Sequence, residues 1–297
     1  MTFPELDNET KLKIYGTNLS YKLYANTWRF YIALKIWHFL PIFIIIIGTL
    51  GNSSKILEIF RKTNPKARSG NRIGANLILD TLYIWTAILQ KTIWYLSPGN
   101  IDISSINKLT CVAFSIGTKT TELVSVWLTV IICMEGLTPY RIKHIWLLGL
   151  LAAIFNSHMM STLDVVKFQS DGAKFCHASK PEYLNLHLTY VPIFEVIFAG
   201  LIPAVVTGTV LICHRVKCSK DACQVASKGT VKLYKLALGF LICILPYSLF
   251  FILYHFVKHV QHDDSLDMHL RLKITNAIVS MLHFANFGYK AFALKIF

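Results

Sequence analysis

Between Cys111 and Glu135 the chain reads CVAFSIGTKTTELVSVWLTVIICME. About 20 helical residues at roughly 1.5 Å each span the hydrocarbon core of a bilayer, so this stretch is long enough to cross one. It is not uniformly apolar. Thr118, Glu122, Ser125, Thr129 and Cys133 recur at helical spacing and form one polar stripe. A spanning helix with such a stripe belongs inside a bundle, where the stripe faces other helices or a cavity. The expected fold is therefore an all-α membrane protein.

Composition agrees. The 297 residues are 54% hydrophobic and 15% charged, and the apolar residues come in long blocks. These runs are far longer than the strands of a transmembrane β-barrel. A net charge of +14 invites a nucleic-acid reading, but there is no basic tail and no nucleic-acid motif. The basic residues cluster between apolar blocks, as in a membrane protein with basic cytoplasmic loops. The seven cysteines include no CxxC, so no metal site is expected. Neither P-loop, GxSxG nor HExxH occurs, and no enzyme is expected. Residues 1–30 are polar and mixed in charge, with no early apolar region, so the first span should act as the targeting signal.

Seven spans are predicted. They cover Tyr31–Phe60, Ile73–Leu96, Cys111–Glu135, Lys143–Leu163, His187–Cys213, a sixth ending near Val257 and a seventh starting near Arg271. The loop after the first span carries Arg61, Lys62, Lys66, Arg68 and Arg72. The positive-inside rule makes it cytoplasmic and puts the N-terminus outside. Sequons at Asn8 and Asn18 would then be glycosylated. The alternation of basic loops with mixed or acidic ones, such as Asp263-Asp264-Ser265-Leu266-Asp267, supports the same topology, with the C-terminus in the cytosol. A 164–186 loop is expected to be polar. No inverted repeat or pair of broken helices speaks for a transporter, which stays a third reading.

One landmark falls in each predicted helix: Gly51-Asn52; Asn76-Leu77-Ile78-Leu79-Asp80; Cys111 with Glu135; Trp146; Pro203; Phe240-Leu241-Ile242-Cys243-Ile244-Leu245-Pro246; and Asn286-Phe287-Gly288-Tyr289. As an ordered set they resemble the rhodopsin-like (class A) family of G-protein-coupled receptors, and the overall look is closest to invertebrate peptide receptors. The resemblance implies a segment 1–30 outside the cell, a seven-helix receptor domain over 31–297, and a multi-pass location in the plasma membrane. The chain also departs from the family. Gly136 stands where the family places an arginine after the acid, Ile244 replaces a tryptophan, Phe287 replaces a proline, and Tyr289 arrives one residue early.

The resemblance, with the oxidising side on which both residues would lie, implies a Cys111–Cys176 disulfide. It implies a polar network of Asn52, Asp80, Ser125 and Asn286, with a sodium ion near Asp80; the alternative is a hydrogen-bonded knot that joins helices. Thr118, Lys119 and Glu122 in the third span and Glu195 in the fifth are ionisable or polar at membrane depth, and so are candidates for function. With Trp94, His187, Tyr190, Tyr247, Tyr254 and His255 they are the expected lining of an outward ligand cavity. The structural alternative pairs Lys119 with Glu122 at i,i+3 and leaves the aromatics at the membrane interface. Thr118 replaces the aspartate of amine receptors and Ser280 the retinal-binding lysine of opsins, so a peptide is the leading ligand class. Glu135, Gly136, Arg141 and Lys232 are the residues expected to face a G protein. The basic loops would otherwise meet anionic lipid or only set topology. Without the arginine after Glu135, a second reading is a receptor-fold binding protein that couples weakly or only as a dimer.

Overall fold

A computed structural model describes residues 28–62, 68–97, 102–138, 142, 146–167, 174–180, 183, 190–220, 228–260 and 266–295. Asn8, Asn18, Arg141, His187 and the side chain of His255 lie outside the described residues.

Helix α1 is Trp28–Lys62. Helix α2 runs Arg68–Tyr83, passes through one π turn at Ile84–Ile88 and finishes with Leu89–Leu96. Helix α3, Lys108–Leu137, begins in a capping box: Asn107 accepts from the Thr110 amide at 2.9 Å, and Thr110 Oγ1 accepts from the Asn107 amide at 3.0 Å. That reciprocal bonding satisfies two donors that a helix start leaves unpaired. Helix α4 is Trp146–Asn156, followed by the short turn Met159–Thr162. Helix α5 runs Val191–Val196, a π turn Ile197–Leu201, then Ile202–Lys220. The π turn lies just before Pro203, whose missing N–H leaves the regular ladder incomplete. Helices α6 (Lys228–Val260) and α7 (Leu266–Lys295) complete the set.

Among the described residues, five helices, α1, α2, α3, α5 and α6, are long and apolar enough to cross a membrane. The structure therefore fits an all-α membrane protein, with five such helices where the sequence suggests seven spans. Two reasons separate the numbers. Among the described residues helix α4 covers 11 and stops well short of Leu163. Asn156, Ser157 and His158 end it: Asn156 Nδ2 donates to the Ala152 carbonyl at 2.9 Å and Ser157 Oγ to that of Ile154 at 2.7 Å. Such side-chain bonds give the backbone an alternative to the helix. Helix α7 is 30 residues long but carries a polar stripe, Ser280, His283, Asn286 and Lys290, that lowers its hydropathy. All four are buried.

The expected polar loop after α4 contains a hairpin. Strands β1 (Leu163–Lys167) and β2 (Lys174–Ala178) pair antiparallel, with Val165 opposite Cys176. Cys176 is disulfide-bonded to Cys111 at the start of α3, as expected. Asp102 braces that corner. Its Oδ1 accepts from Gln90 and Ser104, and its Oδ2 accepts from the Cys176 amide at 3.1 Å.

Inside the bundle, Tyr83 stacks on Phe287 at 4.0 Å amid Val126, Val130, Phe240 and Ile244. Outside it, Phe43, Ile47 and Leu50 of α1 and Leu249 and Leu253 of α6 are exposed. Apolar faces of this extent suit lipid rather than water. Helices α1 and α7 approach closely at Gly48 and Gly288: a Cβ on either glycine would lie 3.2 Å from the other's Cα. Small residues permit such backbone contact between membrane helices. Gly288→Leu should therefore lower the thermal stability of the purified protein by about 1–3 kcal/mol, the usual cost of overpacking. Gly149→Leu, where an added Cβ meets nothing within 4 Å, should leave it unchanged in the same detergent melting assay.

Candidate functional site

The stripe of α3 meets α5, α6 and α7 near the disulfide end of the bundle. Lys119 Nζ lies 2.5 Å from Glu195 Oε2 on α5 and 3.8 Å from Glu122 Oε2 on its own helix. The i,i+3 pair is thus the longer of two contacts that one ammonium makes. Glu122 turns its other oxygen to His283 Nε2 of α7 at 3.0 Å. Tyr247 of α6 stacks on the His283 ring, with centroids 4.5 Å apart.

These residues line a small cavity together with Pro192, Gly200, Ser248 and Phe251. Gly200 is required there: a Cβ on it would collide with Ser248 Oγ. The cavity measures about 30 Å³, room for roughly one or two water molecules. Glu195 Oε1 and His283 Nδ1 are buried without a hydrogen-bond partner. A polar group entering here would therefore find acceptors and donors not already engaged.

Of the nine expected ligand-binding residues, Lys119, Glu122, Glu195 and Tyr247 line this cavity. Thr118, Trp94, Tyr190 and Tyr254 are not part of its lining. Thr118 Oγ1 is buried with no hydrogen-bond partner, Trp94 is half-buried on α2, Tyr190 is exposed at the start of α5, and Tyr254 stacks on Phe250. His283 completes the cavity and was not singled out from the sequence. Its place on the Ser280–His283–Asn286–Lys290 stripe is the signal that identifies it, since polar groups recurring on one face of an apolar helix must find partners inside.

Deeper in, the expected polar network is partly assembled. Ser125 Oγ reaches Asp80 and lies 3.1 Å from Asn76 Oδ1, and Asn76 Nδ2 donates to Thr129 Oγ1 at 2.9 Å. Asn52 donates instead to the Phe287 carbonyl at 3.0 Å. Both side-chain polar atoms of Asn286 are buried without a partner, so it does not join Asp80. Lys290 does: its ammonium lies 2.9 Å from Asp80 Oδ1 and 3.0 Å from Ser125 Oγ. The ammonium stands where a cation shared by Asp80 Oδ1 and Ser125 Oγ would lie, so that pair of oxygens does not fit a sodium ion.

The chain matches no family model and no curated protein. Assignment of the site rests on its own chemistry.

At the opposite end of α3, Glu135 pairs with Arg72 and accepts from the Ile142 amide at 2.7 Å, while Arg72 donates to the Ile142 carbonyl at 2.5 Å. Arg72, counted in the sequence as part of a basic loop, is a buried residue of α2. Gly136 packs against Leu233 so closely that a Cβ would overlap it. Lys232 lines a groove with Lys55, Glu58, Ile73 and Leu294.

The Lys119 ammonium is the hub of the cavity, shared by two carboxylates. Lys119→Met should destabilise the protein more than Glu195→Gln, because the first leaves two acids facing each other and the second leaves Lys119 its Glu122 partner. A double-mutant cycle on Lys119 and Glu195, read by thermal unfolding, should return a coupling of about 1 kcal/mol.

Proposed function

We propose that the chain is a rhodopsin-like G-protein-coupled receptor of the plasma membrane. In this reading seven helices cross the bilayer, the N-terminus is outside, and the C-terminus is cytosolic. The ligand is a peptide that enters between the outer helix halves. The observation that carries the proposal is the convergence of α3, α5, α6 and α7 on one polar cavity beside a disulfide-pinned hairpin. Ionisable groups at membrane depth are costly and are retained where they serve a site.

The cavity holds little more than water, so a peptide would place only a side-chain tip or terminus in it. A basic group that competes with Lys119 for Glu195 would loosen α5 from α3. The contact of Gly200 with Ser248 would pass that change to α6. A ligand that binds the loosened form better shifts the population towards it, and the far ends of α5 and α6 then admit a G protein. Basic loops at that end would favour the acidic surface of such a partner or anionic lipid.

A specific observation favours a second reading, a receptor-fold protein with weak coupling. The residue after Glu135 is glycine, and Leu233 fills the space its side chain would use. An arginine cannot simply be restored there, so the informative variant is Gly136→Arg with Leu233→Ala. Cells expressing wild type should respond to active peptide fractions with nucleotide exchange on a G protein, and Glu195→Gln should need at least roughly tenfold more peptide, the equivalent of about 1.4 kcal/mol. Silence of wild type beside a responsive double variant would establish the weak-coupling reading instead.

A further inference from the structure

We infer that Lys290 is a built-in cation for Asp80, a tethered ammonium that takes the place of a free monovalent cation and makes the join between α2, α3 and α7 indifferent to sodium. The inference does not depend on the receptor reading. It rests on the position of one side chain. Asp80 is 0% exposed and Lys290 is 1% exposed, so neither charge is relieved by solvent. A carboxylate in that position needs a cation or a proton, and the chain supplies a cation from a helix 210 residues away in sequence.

The ammonium is held by two oxygens from two helices, Asp80 Oδ1 of α2 at 2.9 Å and Ser125 Oγ of α3 at 3.0 Å. It also lies 5.4 Å from the centre of the Phe287 ring, the aromatic that stacks on Tyr83. Around it the available ligands are hard oxygens: the Asp80 carboxylate, the Ser125 hydroxyl and the Asn76 amide oxygen, 3.1 Å from that hydroxyl. Asp80 Oδ2 is buried with no hydrogen-bond partner. Carboxylate, hydroxyl and amide oxygens are the ligand set that hard cations select. Shortening Lys290 to alanine would leave one negative charge and these oxygens around a space of ammonium size. That arrangement suits a sodium ion. In the wild-type chain the ammonium occupies that position.

The test uses the purified full-length protein, melted in sodium chloride and in N-methyl-D-glucamine chloride at equal ionic strength. Wild type should melt at the same temperature in both. Lys290→Ala should melt lower than wild type in N-methyl-D-glucamine and be raised by sodium in a concentration-dependent way, as mass action requires. Asp80→Asn/Lys290→Ala should lose that sodium response. The inference is overturned if wild type gains as much from sodium as Lys290→Ala does, or if folded Lys290→Ala ignores sodium. If Lys290→Ala does not fold in either salt, the double variant decides. Recovery of folding on removing the acid supports a charge pair, and failure to recover overturns it.

Discussion

A charge inside a membrane-embedded bundle has to be neutralised where it stands, and the packing of α7 follows from that constraint. The helix carries His283 and Lys290 seven residues apart on one face. Helix α3 offers Glu122 to the first and Ser125 to the second, and α2 adds Asp80. Sliding α7 by one residue along α3 would break both rungs and leave buried ionic groups unpaired. Apolar contacts alone set no such register, because lipid chains and leucines are equivalent neighbours. The polar seam specifies where α7 sits, and the dispersion contacts of Tyr83, Phe240, Ile244 and Phe287 fill the space around it.

The cavity is the upper end of the same seam. His283 belongs both to the contact with Glu122 and to the stack on Tyr247. Glu122 shares Lys119 with Glu195. A ligand group that disturbs one of these contacts therefore acts on α3, α5, α6 and α7 together. The disulfide and Asp102 hold the hairpin at that end. At the other end Arg72 and Glu135 join α2 to α3 directly.

Much of this was legible in residue order. Long apolar blocks announced the helices, and the stripe through Glu122, Ser125 and Thr129 announced which face of α3 is covered. Cys111 and Cys176 were paired in advance through family resemblance. What escaped was partner choice. Asn286 matched a family landmark and was expected beside Asp80, yet Lys290, one helical turn further on, makes the contact. Local sequence shows that a polar group lies on a face; it does not show which of two groups a turn apart reaches across to another helix. Arg72 was read as a loop charge because α2 begins earlier than its apolar run, at Arg68. Helix α4 ended early because three polar residues bonded to its own carbonyls, a local competition that hydropathy does not register.

The central claim is that Asp80 is an ionised carboxylate held by Lys290 inside the bundle. Infrared difference spectroscopy of wild type against Asp80→Asn, both in lipid, measures this directly. The account predicts that the substitution removes the stretching bands of a carboxylate and removes no carbonyl band of a protonated acid. Loss of the protonated-acid band instead would contradict it, because Asp80 would then be neutral and Lys290 would not be its counter-charge.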